Sequence, residues 1–366
     1  GQYTAVGSVT ATPTAPFAGL GNPAPASDPV NYAGGRNAAI LGPERTNCAA
    51  SNTKIVDLST GEVLFSLTAY EPAFVGGMSL ATAPLDTRPA NDGDEIITAP
   101  GPGRAPEIRV FSQTGTATNA TTGATVPITS FMAYASTFTS GVEVAAGDIN
   151  NDGVPDIVTV PKSGAQPVRV FYGTRTAGAI SFGSSATPTP NNSFFPFGST
   201  YTGGMHVALA DVTGDNLLDV IIGSGTSVGA QVKIFSNATV LGTNNTPATS
   251  PTVYATFYPY YATSPSIQST FTGGVYVTTG RVNSDNIPEI IVSPGLNGNS
   301  RVEVWQVAAG NFTSTRLSSF FSFYDLASRN AAVIALPVDN TGDGIVDKIA
   351  TVQGQNGTSS TGRLWN

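Results

Sequence analysis

The chain has 366 residues, 11% charged and 40% hydrophobic, enough for a large core in one repeat domain or two ordinary ones. A net charge of −8, with 16 Lys and Arg spread thinly, argues against nucleic acid or an anionic membrane surface as a partner. No apolar run approaches the ~18 residues of a membrane-spanning helix, so membrane insertion is not expected. Cys48 stands alone, which excludes an intrachain disulfide.

Gly (41) and Pro (26) are abundant, and no stretch holds a 3.6-residue apolar period. Short runs rich in Val, Ile, Tyr, Phe and Thr recur between Gly, Pro and Asn clusters, the mark of an all-β protein. Along the chain, QYTAVGSVT (2–10) reads as a strand and residues 11–30 as an Ala- and Pro-rich strap. NAAILG (37–42), KIVDLS (54–59) and EVLFSLTAY (62–70) then form a partial unit. From there one unit repeats. Its first two strands are FVGGMSLATAPLDTRPANDGDEIITAP (74–100), FTSGVEVAAGDINNDGVPDIVTV (138–160), YTGGMHVALADVTGDNLLDVIIG (201–223), FTGGVYVTTGRVNSDNIPEIIVS (271–293) and SRNAAVIALPVDNTGDGIVDKIATV (328–352). The third strands are EIRVF (107–111), VRVFY (168–172), VKIFS (232–236), VEVWQ (302–306) and RLW (363–365). Aromatic-rich fourth strands follow in VPITSFMAY (126–134), SFFPF (193–197), TVYATFYPY (252–260) and TRLSSFFSFY (315–324).

A single small sheet cannot cover both of its faces, whereas sheets stacked radially can. The expected fold is therefore a β-propeller of four-stranded blades over residues 31–366, six by this count, with five or seven as alternatives. The last unit stops after its third strand, and the N-terminal strand would complete it, removing an exposed edge.

More than half of the 24 acidic residues fall in the loops between first and second strands. In three of these loops oxygen-bearing side chains occupy positions 1, 3, 5 and 9. They are Asp148, Asn150, Asp152 and Asp156; Asp211, Thr213, Asp215 and Asp219; and Asp339, Thr341, Asp343 and Asp347. Carboxylates held this close repel one another unless a cation lies among them. Alternating hard oxygens suit Ca²⁺, which takes about 6–8 of them at about 2.3–2.6 Å. The carbonyls of Val154, Leu217 and Ile345, at position 7, complete each set. Gly153, Asn216 and Gly344, at position 6, permit the sharp turn. An EF-hand is excluded, because position 12 is Thr159, inside a strand, where that motif needs Glu. About three Ca²⁺ sites result. The loop Arg281–Glu289 has Arg in place of the first Asp, so it is expected to be metal-free, with Arg281 pairing to Asp285 and Glu289. Asp86, Asp92, Asp94 and Glu95 occupy a loop of altered length.

GDINNDGVPDIVTV, preceded by FTSGVEVAA, resembles the FG-GAP (integrin α-chain-like, also VCBS-type) propeller repeat over about residues 31–366. FVGG, YTGG and FTGG stand where that family has its FG-GAP phrase, and integrin propellers have seven blades rather than six. The resemblance implies calcium loops between strands one and two, and roles in adhesion or in protein and carbohydrate binding.

Few Lys, a low pI and a start at Gly1 without a signal-like segment fit a processed protein, secreted or displayed at the cell surface. Its partner would be an extracellular protein, a glycan or a second copy of itself. The alternatives are a filament or coat subunit and a polysaccharide-active enzyme. An enzyme is the weaker reading. His206, the one histidine, aligns with Glu143 and Tyr276 as one ring of polar positions, and a general-base role beside Glu143 is possible chemistry. No GxSxG or HExxH motif accompanies it, Cys48 reads as a plain thiol, and GPGRAP (101–106) opens no helix. Sequons at Asn119, Asn191, Asn237, Asn244, Asn311 and Asn356 matter only in a glycosylating host. The clustered aromatics, Tyr254, Phe257, Tyr258, Tyr260 and Tyr261 and again Phe320, Phe321, Phe323 and Tyr324, read as packing between blades before they read as sugar platforms.

Overall fold

The computed structural model describes residues 30–32, 36–41, 52–57, 63–85, 94–112, 124–176, 179–183, 188–241, 251–260, 270–298, 300–308, 313–322, 332–338, 345–354 and 361–365. They form six blade sheets, every neighbouring pair of strands antiparallel. Blade 1 is β1 (Val30–Tyr32), β2 (Arg36–Leu41), β3 (Asn52–Asp57) and β4 (Val63–Thr68). Blade 2 is β5 (Met78–Ala83), β6 (Glu95–Pro100), β7 (Glu107–Phe111) and β8 (Thr129–Met132). Blade 3 is β9 (Val142–Gly147), β10 (Asp156–Pro161), β11 (Val168–Phe171) and β14 (Asn192–Phe194), with the hairpin β12 (Thr174–Thr176) and β13 (Ala179–Ser181) inserted before its last strand. Blade 4 is β15 (Met205–Ala210), β16 (Asp219–Ser224), β17 (Val232–Phe235) and β18 (Ala255–Phe257), with the short helix α1 (Asn237–Leu241) inserted. Blade 5 is β19 (Val275–Gly280), β20 (Glu289–Pro294), β21 (Arg301–Val307) and β22 (Ser314–Phe321). Blade 6 shows three strands among the described residues, β23 (Ala332–Val338), β24 (Lys348–Gly354) and β25 (Thr361–Trp365).

The fold is an all-β propeller type, as the repeat predicts. Two details differ from the sequence reading. The first unit is not partial, because the short β1 pairs with β2 and supplies a first strand. The fourth strands are shorter than their aromatic runs, and Tyr134, Phe197 and Tyr260 lie beyond them. The N-terminal strand proposed to complete blade 6 lies outside the described residues, as do Cys48, Tyr261, Phe323 and Tyr324.

The core is a series of layers between blades. Innermost strands stand side by side, β9 between β5 and β15, and β19 between β15 and β23. Every residue of β6, β10, β16 and β20 is buried, which is why these second strands read as near-continuous apolar runs. Between blades 2 and 3, Ile97, Val110 and Phe131 meet Val144, Ile157 and Phe171. Between blades 4 and 5, Ile221, Ile234 and Phe257 meet Val277, Ile290 and Trp305.

The step from one blade to the next is a repeated device. Aromatic pairs four residues apart span the connection, Tyr70–Phe74, Tyr134–Phe138 and Phe197–Tyr201, with ring centroids 5.6, 5.2 and 5.1 Å apart. The chain then enters the next innermost strand through a Gly-Gly pair before β5, β15 and β19 and through Ser140–Gly141 before β9. A Cβ on Gly203 would stand 1.7 Å from the Thr226 carbonyl oxygen, and one on Gly273 1.9 Å from that of Leu296. Only glycine allows this approach of backbone to backbone.

A cation on the third strand of blades 2, 3 and 4 clasps the preceding blade. Arg109, Arg169 and Lys233 donate at 2.8 Å to the carbonyls of Ala69, Ala133 and Pro196. Each also lies over the aromatic ring that follows, Tyr70, Tyr134 or Phe197. Blade 5 inverts the sign. Glu303, fully buried, occupies the corresponding register and accepts from the Tyr260 N–H at 3.4 Å. The Trp305 indole donates to that same oxygen, Oε2, at 3.0 Å, and Arg301 and Arg316 hold Oε1 at 2.9 and 3.0 Å. Glu303→Lys, which copies the other blades, therefore gathers three cations around a lost carboxylate. It should destabilise by about 3–5 kcal/mol, whereas Arg169→Met should cost about 1–3 kcal/mol. Urea denaturation midpoints compare the two, and a stabilised Glu303→Lys protein would contradict the inverted clasp.

Candidate functional site

The acidic loops join β9 to β10 and β15 to β16, and they fold alike. Asp148, at position 1, takes the Asp152 N–H on Oδ1 at 3.1 Å and the Gly153 N–H on Oδ2 at 2.8 Å. Asp211 does the same with Asp215 at 3.1 Å and Asn216 at 2.7 Å. At position 5, Asp152 and Asp215 accept from the Val154 and Leu217 amides at 2.9 and 3.0 Å. Position 6 adopts the expected left-handed backbone, φ 82° at Gly153 and 65° at Asn216. At position 3, Asn150 bonds the Asp152 carboxylate through its amide nitrogen at 3.0 Å, and the Thr213 hydroxyl lies 3.4 Å from Asp219 Oδ1.

Position 9 behaves differently from the rest. Asp156 and Asp219 are fully buried at the first residue of the second strand. Asp156 Oδ2 accepts the Ile149 and Asn150 amides at 2.9 and 3.2 Å, and its Oδ1 accepts Gly173 N–H at 2.9 Å. Asp219 Oδ2 accepts Val212 and Thr213, both at 3.0 Å. The same anchor recurs without the full acidic series. Glu289 takes the Val282 amide at 2.9 Å, and Glu95 takes the Leu85 amide at 2.8 Å. Burial pushes the carboxyls of Asp156 and Asp219 up to about 7, despite their backbone hydrogen bonds, and the nearby Asp152 and Asp215 charges add to the effect.

The loop Arg281–Glu289 corrects one expectation. Arg281 does not pair with Asp285 or Glu289; its Nη2 donates to Asn286 Oδ1 at 2.6 Å. A position-1 side chain crosses the loop toward position 6, and there the guanidinium meets the Asn286 amide. Asp285 is answered instead by the Gln306 side-chain amide at 2.7 Å, and Glu289 by the Asn283 amide. In the last loop Ile345 and Asp347 are half-buried, and Val346 N–H donates to the Arg281 carbonyl at 2.6 Å, tying adjacent loops together. Asp339, Thr341, Asp343 and Gly344 lie outside the described residues, as do Asp86 and Asp92.

No group of three His, Cys, Asp or Glu among the described residues is gathered as a metal cluster. The donor chemistry is nonetheless that of a hard cation. All side-chain donors at positions 1, 3 and 5 are oxygens or carry one. Asp148, Asp152, Asp211 and Asp215 have no ion-pair partner among the described residues. Both oxygens of Asp156 already accept N–H groups, so an ion there would use their remaining lone pairs.

The polar ring of the innermost strands joins neighbouring blades. Ser79 accepts the Val144 amide at 3.2 Å, and Glu143 Oε1 accepts the Val207 amide at 3.1 Å. His206 Nδ1 lies 3.0 Å from Glu143 Oε2, and its ring packs 4.1 Å from that of Tyr276.

Neither a protein-family model nor a curated protein matches the chain. Solved structures similar to it include a protein from Lactobacillus plantarum, with 12% identity, TM-score 0.45 and coverage of 88% of this chain and 80% of that one. Another is the WD40 domain of Toxoplasma gondii coronin, with 12% identity, TM-score 0.43 and coverage of 100% and 84%. A third is a Bacillus licheniformis rhamnogalacturonan lyase, with 12% identity, TM-score 0.38 and coverage of 99% and 75%. The propeller assignment itself rests on the chain's own sheets.

Asp156 and Asp219 make a signed prediction. Their folded-state values, near 7, lie above the ordinary 3.8, so the folded metal-free protein binds the extra protons. Their contribution is fully present below about pH 4 and is lost as pH rises toward about 7. Glu71, held down to about 2 chiefly by its hydrogen bond with Arg104, acts on the acid side instead, below about pH 4.5. Melting temperatures of metal-free protein should fall across pH 4–7, and Asp156→Asn with Asp219→Asn should flatten that slope.

Proposed function

We propose that this chain is a calcium-stabilised propeller working outside the cell, as a binding or adhesion module for a protein or glycan. The observation that carries this reading is the agreement of two separate loops, residues 148–156 and 211–219. They repeat the same oxygen positions, the same left-handed turn and the same buried anchor, with no basic side chain among the described residues paired to their charge. A divalent cation among Asp148, Asn150, Asp152 and the Val154 carbonyl, and among their counterparts Asp211, Thr213, Asp215 and the Leu217 carbonyl, would remove the repulsion. It would also reverse the penalty on the buried position-9 carboxylates. Asp339, Thr341, Asp343, Ile345 and Asp347 form the third set by spacing, and the loop with Arg281 takes no ion.

Such ions clamp a chain that has one cysteine and no intrachain disulfide. Loops of this kind fill where calcium is millimolar, which fits a secreted or surface location. The blade faces remain available to a partner, since propellers bind through loops rather than through a fixed motif.

Calcium at about 100 times its Kd stabilises by about 2.7 kcal/mol for each site. Metal-stripped protein should melt several degrees lower than protein in millimolar calcium. Asp152→Asn combined with Asp215→Asn should remove most of the difference. An identical melting temperature in calcium and in chelator would end the proposal.

A further inference from the structure

The N-terminal ends of β9, β15 and β19 lie at the opposite ends of those strands from the acidic loops. There Glu143 is 1% exposed, yet it carries a carboxylate. One of its oxygens accepts the Val207 N–H and the other faces His206 Nδ1. Burial works to protonate Glu143, but the hydrogen bond with His206 Nδ1, the Lys162 ammonium and the Val207 N–H outweigh it and hold the group below the usual carboxylate range. An ionised carboxylate only accepts, so the proton of this contact sits on Nδ1. In the neutral imidazole, Nε2 is then a lone-pair acceptor. His206 Nε2 makes no hydrogen bond among the described residues, and its side chain is 18% exposed.

Lys162 flanks the same spot. It directly follows β10, whose Val160 and Pro161 pair with Glu143 and Val142. Its backbone packs against Gly204, two residues before His206. The residue is half-buried, and its ammonium has no hydrogen-bond or ion-pair partner among the described residues. The Tyr276 ring walls the other side of His206.

We infer that this inner rim is a ligand site, separate from the calcium loops, in which His206 Nε2 accepts the proton of a hydroxyl and Lys162 takes an acidic group of the same molecule. A rigid ring bearing hydroxyls beside a carboxylate meets both demands, so the ligand class is an acidic saccharide. Glu143 acts as a positioning residue that fixes the imidazole's tautomer and orientation. The inference uses none of the acidic-loop residues and stands whether or not they hold calcium.

His206 is the single histidine of the chain, so one imidazole reports on the site without assignment. Long-range proton–nitrogen NMR correlations of nitrogen-15-labelled protein, in calcium buffer, should show the proton on Nδ1 in the free protein. Glucuronic acid should move the Nε2 resonance saturably, and glucose at the same concentration should not. Lys162→Met should weaken the glucuronate response at least about tenfold in a protein that stays folded with the His206 proton still on Nδ1, and His206→Gln should abolish binding measured by saturation-transfer signals of the sugar. A proton on Nε2, no saturable shift, an equal shift with glucose or an unaffected Lys162→Met protein would each overturn the inference.

Discussion

A sheet of four short strands has two apolar faces, and this molecule solves that problem with neighbours. The second strands are buried along their whole length, with β10 and β16 lying in the layers between blades 2, 3, 4 and 5. No blade could bury its second strand on both faces alone. The Gly-Gly approach, the aromatic pairs and the charged clasps all act at the blade boundary, where the stacking must be held in register. Stability of this kind is shared between adjacent units, so damage at one boundary is felt mainly by the two blades that meet there.

In blades 2 to 5 a buried acid fixes the turn between the first two strands, the turn on which the candidate metal sites depend. Asp156, Asp219, Glu289 and Glu95 differ in side chain and in the loop they anchor, but all take a backbone amide from the start of that loop. Two of those loops carry the further oxygens at positions 1, 3 and 5, and one carries Arg281. The anchor is thus the common structural element, and cation-binding chemistry is an addition to it. This explains how the Arg281 loop keeps its shape, with φ 67° at Asn286, although its first residue has the opposite charge.

Much of this was legible in the residues. Apolar runs between Gly- and Asn-rich turns marked the strands, and the repeat marked the blades. The need for φ > 0 at position 6 followed from Gly153 and Asn216 standing in the same place. What was hidden depended on partners distant in sequence. β1, three residues long, has too little pattern to read. The pairing of Arg281 with Asn286 followed from which way a position-1 side chain crosses the loop. Lys162 gave no signal, because its nearness to His206 comes from the register of β10 on β9 and from the packing of Gly204. The sign change at Glu303 was visible as a letter, but its meaning needed Arg301, Arg316 and Tyr260 in space.

That inverted clasp bears on the ancestry and engineering of the repeat. Repeats that arose by copying begin interchangeable, and blades 2, 3 and 4 still use one boundary chemistry. Blade 5 speaks a different dialect to the blade before it: its acid answers an N–H where its siblings' bases answer a carbonyl. A shuffled or shortened propeller that set blade 5 after blade 2 would leave the Tyr134 end facing a carboxylate with no amide aimed at it. The order of the units is thereby written into the side chains between them, and a transposition of two blades should not be tolerated.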